Sequence, residues 1–120
     1  MSTLKVNTIQ NASGVEVYTA KAWVNFNGTG TVAIRASGNV SSITDNGTGD
    51  YTVNFTTAMP DANYATLVCG EYGSGANGDV YRLKQGASVP YTTTSVRVES
   101  FNVISAAYED SRTLTVAIHR

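Results

Sequence analysis

Apolar and polar residues alternate most regularly in residues 39–65, NVSSITDNGTGDYTVNFTTAMPDANYA. In residues 50–55, DYTVNF, every second residue is apolar, and this period of two is typical of a half-buried strand. Asn46-Gly47 supplies the backbone freedom that a tight hairpin connection requires. Met59-Pro60 then ends the strand, because proline has no backbone donor and fixes its own φ. The stretch therefore predicts a β-hairpin followed by a corner.

Further short strands are predicted along the rest of the chain. They are Ala22–Phe26, Thr31–Arg35, Asn63–Cys69, Val80–Lys84, Ser95–Ile104 and Arg112–His119. Turns rich in Gly and Asn separate them. No segment has apolar residues at i, i+3, i+4 and i+7 over a helical length. We therefore expect an all-β protein, an antiparallel β-sandwich of about six to eight strands.

Three of these strands carry more specific expectations. Residues 63–69 are apolar on both faces, which predicts a central strand of the sandwich with Cys69 buried as a small apolar side chain. Residues 80–84 predict a short edge strand. In residues 95–104 the apolar positions change face near Glu99-Ser100, which predicts a β-bulge. Because Cys69 is the single cysteine, no internal disulfide is expected.

An N-terminal arm, residues 1–19, precedes the predicted sandwich domain, residues 20–120. Apolar residues alternate with polar ones in the arm, and Asn11–Gly14 predicts a turn or linker. A strand this short cannot bury its apolar face alone, so we expect it to add to a neighbouring sheet or to another chain. The candidate attachment residues are Leu4, Val6 and Ile9.

Charge is scarce in this sequence. Charged residues make up 14% of the chain, whereas about 25% is typical of soluble domains. The formal net charge is −1 and no basic stripe occurs, so we expect no nucleic-acid partner. No apolar run is long enough to span a membrane, and the first residues lack the apolar region of a secretory signal. The sequence therefore predicts synthesis in the cytoplasm without membrane insertion.

Few titratable side chains are available for catalysis. His119 is the single histidine, and a position this close to the end is poor for a rigid catalytic base. Asp45 and Asp50 flank the hairpin turn, where a glycosidase pair or a calcium site is an alternative to ordinary turn residues. Glu109-Asp110 lies on a connector and is expected to meet solvent. We expect no enzyme, no catalytic residue, no cofactor and no metal.

Residues 70–79, GEYGSGANGD, contain four glycines and predict a loop. The loop lacks the Lys-Ser or Lys-Thr pair of a phosphate-binding loop. Its surroundings combine tyrosines with charged hydrogen-bonding groups, a set of side chains that can hold a sugar. The candidate receptor-binding residues are Glu71, Tyr72, Asp79, Tyr81 and Arg82. The alternative is a loop that merely connects two strands.

Two blocks of the sequence resemble known proteins. STLKVNTIQNASG, residues 2–14, resembles a short N-terminal segment of bacteriophage tail-fibre and other appendage proteins. Residues 20–65, AKAWVNFNGTGTVAIRASGNVSSITDNGTGDYTVNFTTAMPDANYA, resemble a domain of the same phage structural proteins. From Tyr51 onward the layout also resembles H-type lectins, which are six-stranded β-sandwiches that assemble as trimers. No sugar-binding motif of those lectins matches clearly, so only their architecture is carried over.

The resemblance implies a virion component that assembles as a homotrimer. The first interpretation is a tail fibre whose arm binds the baseplate or tail and whose distal loops contact host-surface polysaccharide. The alternative is a capsid decoration or cement protein with a purely structural role, whose arm binds the capsid. Because the sequence closes on a predicted core strand, we expect no further tip domain. Both interpretations predict localisation in the virion.

Overall fold

A computed structural model describes residues 3–71, 78–86, 88 and 90–120 of the protein. This part of the chain contains nine β-strands and no helix. The strands are β1 (Ala22–Asn27), β2 (Ala33–Gly38), β3 (Val40–Gly47), β4 (Asp50–Phe55), β5 (Ala65–Glu71), β6 (Asp79–Leu83), β7 (Ser95–Asn102), β8 (Ala107–Tyr108) and β9 (Thr113–His119).

The strands form two antiparallel sheets. One sheet has four strands in the order β2-β1-β9-β5, and the other has the order β3-β4-β7-β6 with β8 paired to β7. The predicted all-β sandwich is therefore confirmed. Its nine strands exceed the expected six to eight because β8, a strand of two residues, was not predicted.

The core lies between the sheets and is built from alternate residues of four strands. Its largest contributors are Val24 and Phe26 of β1, Tyr51 and Val53 of β4, Val96 and Val98 of β7, and Leu114, Val116 and Ile118 of β9, all of them buried. Phe26 and Tyr51 meet edge to face, with ring centroids 5.3 Å apart. Full burial of one aliphatic side chain contributes about 1.5–3 kcal/mol. The period of two in the sequence is what places these residues on one side of each strand.

Tyr51 lies at one end of the core, where three loops between strands meet. Its hydroxyl lies 2.7 Å from Asp110 Oδ1 and 2.9 Å from the carbonyl oxygen of Gly28. A Cβ at Gly28 would lie 2.5 Å from this hydroxyl, so only glycine allows the approach. The Gly49 N–H also donates to Asp110 Oδ1. The expectation that Glu109-Asp110 simply meets solvent is therefore wrong for Asp110.

The antiparallel registers define two ends of the sandwich. At the arm end, β1 begins and Ala65 of β5 pairs with His119. At the loop end, Glu71 closes β5 and Asp79 opens β6, close to the Tyr51 connections. The N-terminal arm and the ends of the strands that flank residues 72–78 consequently lie at opposite ends of the sandwich.

Three expectations about β5 and β7 are wrong, and one about β6 is confirmed. β5 is an edge strand instead of a central one, and Cys69 is exposed. β7 has no bulge near Glu99, since its registers with β4 and β6 are continuous. Phe101 faces outward, where its ring packs edge to face against Tyr108. The short edge strand predicted at residues 80–84 is confirmed as β6.

Residues 3–20 are exposed and fold back on themselves as a hairpin. Gln10 pairs with Glu16, and the Val17 N–H donates to the Ile9 carbonyl oxygen. The predicted turn at Asn11–Gly14 is confirmed by a hydrogen bond of 3.0 Å from the Gly14 N–H to the Asn11 carbonyl oxygen. A groove of about 470 Å³ lies between this arm hairpin and residues of the arm end.

Candidate functional site

The predicted receptor-binding residues do not converge on one surface. Tyr72 lies outside the described residues. Glu71 is on the outer side of the four-stranded sheet, where its carboxylate accepts hydrogen bonds from Arg112 and Thr113. Arg82 is on the outer side of the five-stranded sheet, because its neighbour Leu83 packs against the core.

Asp79 and Tyr81 point between the two sheets at the loop end. The Tyr81 ring packs on Gly70, where a Cβ would lie 2.4 Å from the ring, and Ser111 Oγ lies 3.1 Å from its hydroxyl. Burial raises the pKa of Tyr81. Burial, then the nearby Glu109 carboxylate, raises the pKa of Asp79, and in the described part of the chain neither of its oxygens has a hydrogen-bond partner. These side chains are partly buried, which does not suit an exposed sugar platform.

Arg82 belongs instead to a group of charged side chains on the outer side of the five-stranded sheet. We call this group the charged cluster; it comprises Asp50, Arg82, Lys84, Arg97 and Glu99. The registers bring its members together, because Glu99 is opposite Asp50 on β4 and opposite Arg82 on β6. Alternation along β7 places Val96 and Val98 in the core and therefore turns the charged residues between them outward.

Two acids and three cations are paired within the charged cluster. Arg97 Nε and Nη2 donate to the two carboxylate oxygens of Asp50, each over 2.8 Å. Arg82 Nε donates to Glu99 Oε1 over 2.6 Å. Lys84 Nζ lies 3.6 Å from Asp50 Oδ2 and 3.2 Å from Glu99 Oε2. The Lys84–Glu99 contact is an ion pair without hydrogen-bond geometry, so Lys84 stabilises the two carboxylates mainly through its charge.

The acids of the charged cluster are covered, whereas the guanidinium groups reach solvent. The Glu99 side chain is fully buried and that of Asp50 is 13% exposed, but the side chains of Arg82 and Arg97 are each 39% exposed. Two aromatic rings border them. Lys84 Nζ lies 3.8 Å from the ring centroid of Tyr108, and the Arg82 guanidinium carbon lies 5.3 Å from that of Phe101. Solvent therefore meets the guanidinium donors and the exposed part of the Tyr108 ring.

The protein environment keeps the acids of the charged cluster ionised. The hydrogen bond from Arg97 lowers the pKa of Asp50 against the opposing effect of burial. Burial by itself raises the pKa of Glu99, but the hydrogen bond from Arg82 and the close contact with Lys84 outweigh it and lower that pKa. Burial lowers the pKa of Lys84, and its contacts with Tyr108 and Glu99 more than reverse the effect. All three groups are consequently charged at neutral pH.

Sequence reasoning found Arg82 and missed its neighbours. Asp50 is typical of a turn residue, and the change of face near Glu99 predicts a bulge that does not form. The available signal was the alternation in residues 96–101, VRVESF, which turns Arg97 and Glu99 to the side opposite the two valines. Aligning the outward residues of the three strands β4, β7 and β6 would have brought the charges together, but this requires their registers.

The outer side of the four-stranded sheet has a different character. Trp23, Ala117 and Leu67 lie side by side across β1, β9 and β5, and we call them the apolar stripe. Trp23 is 44% exposed and Leu67 is 57% exposed. The indole rests on Gly38, where a Cβ would lie 2.4 Å from Trp23 Nε1. A shallow groove of about 440 Å³ runs along this surface.

The described residues contain neither a metal site nor a membrane-spanning helix. In the described ranges, no three His, Cys, Asp or Glu side chains are grouped so that they could hold a metal ion. The same residues include no helix that is long and apolar enough to cross a membrane. Comparison with protein-family models, with curated proteins and with solved structures gave no match.

Proposed function

We propose that this protein is a structural component of a phage virion, in the first place a tail fibre that binds host-surface polysaccharide. The exposed apolar hairpin at one end of the sandwich is the observation that carries the proposal. Its apolar side chains lack cover from the described part of the chain, and exposed apolar patches mark interaction sites. The apolar residues of the arm hairpin are Leu4, Val6, Ile9, Val15, Val17 and Tyr18.

In this proposal the arm hairpin attaches the protein to the baseplate or tail. Leu4, Val6 and Ile9 are 87%, 53% and 51% exposed, so each has apolar area to bury against a partner. The molecule is elongated, 49 Å long and 28 Å in each other direction. An attachment segment at one end leaves the sheet faces and the loop end accessible, which is the arrangement that a host-binding appendage needs.

Assembly as a homotrimer is the second part of the proposal. The apolar stripe supports it, because Trp23 and Leu67 would lose exposure to water between copies of the chain. Tryptophan is among the residues enriched at interface centres. A chain of only 12.7 kDa also gains stability by burying additional surface between copies.

A capsid decoration or cement protein is the second candidate function. One observation favours it over the fibre: Glu71 and Tyr81 of the predicted receptor-binding set are engaged within the chain. A purely structural protein needs no recognition loop, and the arm hairpin serves equally well to bind a capsid lattice.

Localisation on the particle tests the proposal. Gold-labelled antibodies against the purified protein, imaged on intact virions by electron microscopy, are expected to mark the tail tip. Label on the capsid lattice would replace the fibre with the decoration protein, and absence of label on any virion would refute both. Sedimentation of the purified protein is expected to give three times the 12.7-kDa mass of the chain.

A further inference from the structure

We propose that the outer side of the five-stranded sheet binds an anionic polysaccharide, with its carboxylate groups held by Arg82 and Arg97 next to the ring of Tyr108. This inference rests on the proposed polysaccharide recognition. It names the class of ligand and moves the site away from residues 70–79. We call the surface the polysaccharide face; it comprises the exposed parts of the charged cluster, Tyr108 and the outward residues of β3 and β4.

The first support is the concentration of charge. The chain has eight basic and nine acidic residues, and five of them belong to the charged cluster. Burial of ions costs free energy that their pairing often fails to recover. The core lies on the opposite side of this sheet and does not require them. Buried charges with shifted pKa values are characteristic of functional sites.

The second support is the geometry of the guanidinium groups. Arg97 uses Nε and Nη2 to bind Asp50, and Arg82 uses Nε and Nη2 to bind Glu99 and Gln85. Nη1 of each arginine has no acceptor among the residues that the structure describes. Each group is thus held in place from one side and retains a donor on the other. Such preorganised donors suit the planar carboxylate of a sugar acid.

The sign of the charge indicates an anionic ligand. Three cations oppose two acids, so the charged cluster carries one net positive charge. The acids lie beneath the cations, and the half-exposed arginines are the groups that a ligand meets. A cationic ligand would be repelled, and a neutral one would leave the guanidinium donors with only hydroxyl acceptors.

Uncharged groups next to the cluster indicate a polysaccharide. Thr52 is opposite Arg97 in the register. Asn46 Nδ2 donates to Thr52 Oγ1 over 2.8 Å, and Asn54 Nδ2 donates to Thr44 Oγ1 over 2.9 Å. Amides and hydroxyls can bind the hydroxyl groups of sugars, and the partly exposed Tyr108 ring offers an apolar surface to a sugar ring. Nucleic acid needs denser positive charge, since each phosphate contact uses a cation.

The polysaccharide face is wide enough for several contacts at once. Neighbouring strands lie about 4.8 Å apart, so β3, β4, β7 and β6 together span about 14 Å. The amide and hydroxyl residues occupy the β3 and β4 side, and the guanidinium groups occupy the β7 and β6 side. A chain that crosses the strands would therefore meet neutral and charged contacts in succession.

Binding of defined polymers tests the proposal. Isothermal titration with polygalacturonate and hyaluronan, which carry carboxylates, is expected to show binding, whereas neutral dextran should bind at least about tenfold more weakly because no charge-assisted hydrogen bond forms. Absence of binding to both carboxylated polymers would overturn the inference. Dextran sulfate provides the comparison for general polyanion attraction, and binding of it as tight as that of the better carboxylated polymer would also overturn it.

Matched variants locate the site. Arg82→Lys keeps the charge next to Glu99 but removes the planar donors, so binding of the carboxylated polymers should weaken about tenfold. Arg112→Lys makes the same change at the Glu71 pair of the four-stranded sheet and should leave binding unchanged. Equal losses in the two variants would overturn the inference. Circular dichroism of both variants is expected to match that of the unsubstituted protein.

The outcomes separate this inference from the proposed function. If the purified protein adsorbs to host cells but binds neither carboxylated polymer, the polysaccharide face is overturned and the tail-fibre proposal stands. Binding of carboxylated polymers through Arg82 without adsorption to host cells would keep the site and refute the host-recognition role.

Discussion

The two outer faces of the sandwich obey the same alternation and have opposite chemistry. On the five-stranded sheet, the members of the charged cluster face outward and pair with one another within the chain. On the four-stranded sheet, the apolar stripe is exposed. A sheet with internally paired charges has donors to offer to a polar ligand, whereas an apolar sheet gains most from excluding water with another protein surface. One fold thus provides two distinct kinds of contact.

The largest expected effect comes from removing the buried acid of the charged cluster. Glu99→Gln leaves Arg82 without its carboxylate and Lys84 with only Asp50. Breaking a buried pair costs about 3–5 kcal/mol, but Arg82 is partly exposed, so we expect a loss of about 2–3 kcal/mol in the free energy of unfolding. Equilibrium unfolding in urea measures this loss.

The control for that variant is an exposed ion pair. Asp61→Asn breaks the Asp61–Arg120 pair, in which both side chains are 39% exposed, and exposed pairs contribute little to stability. The loss should therefore be clearly smaller than for Glu99→Gln. If both variants lost the same stability, the charged cluster would be no more important than an ordinary surface pair, and the contrast between the two faces would weaken.

The second largest effect on stability is expected from acid, which protonates the carboxylates of the five-stranded face. The pKa of Asp50 and that of Glu99 are lowered in the folded protein. For a carboxyl of this kind, the stability contribution is complete above the unfolded pKa of about 4 and is lost as the pH falls through the folded value. Asp79, whose pKa is raised, acts in the opposite sense and reduces the net effect.

A variant isolates the contribution of the charged cluster to this pH dependence. Between pH 7 and pH 3, the unfolding free energy of the unsubstituted protein should fall further than that of Asp50→Asn, because the lowered pKa of Asp50 favours its ionised form in the folded protein. Urea titrations at both pH values measure it. Parallel losses in the two proteins would contradict a role for Asp50 in acid sensitivity.

The four-stranded face should show the smallest effect on the stability of the single chain. Leu67→Lys places a charge on the apolar stripe, and exposed substitutions of this kind usually change stability by no more than about 0.5 kcal/mol. Association should nevertheless be lost, because the charge would be buried between copies. Sedimentation measures the change in mass, and Cys69, which is exposed and lies beside the stripe, should react faster with a thiol reagent in the variant.

A lysine on the other face gives the matched control. Thr44→Lys changes an exposed outward residue of β3 and should leave the sedimenting mass unaltered. Association that survives Leu67→Lys and disappears with Thr44→Lys would assign the interface to the five-stranded face and reverse the comparison.

The core was predictable from the sequence because a period of two is a local property. The alternation in residues 50–55 predicts that Tyr51 and Val53 share the buried face of a strand, and both are buried. The position of a strand in its sheet is not local, and this explains the error at β5. Leu67 and Cys69 are apolar but face the outer side of the sandwich, which no other layer of the described chain covers, so the composition of the strand indicates a burial that the fold does not provide.

The charged cluster was beyond sequence reasoning for a similar reason. Arg97 and Asp50 are 47 positions apart, and Arg82 and Glu99 are 17 apart. Only the registers of β4, β6 and β7 make them neighbours. Phe101 explains why the predicted bulge in β7 is wrong. An aromatic residue that faces outward against Tyr108 cannot be distinguished in the sequence from one that enters the core.

The central position of β9 has a consequence for how the chain folds during synthesis. β9 is the last of the nine strands in sequence, yet it lies between β1 and β5. β1 and β5 therefore have no common partner until β9 has left the ribosome, whereas the β3–β4 hairpin can form as soon as it emerges. Pairings between segments this far apart in the sequence are slow to form. Until β9 is added, the incomplete sandwich exposes strand edges. The β1–β2 pair can form early, but the four-stranded sheet is expected to be completed last, after translation of β9.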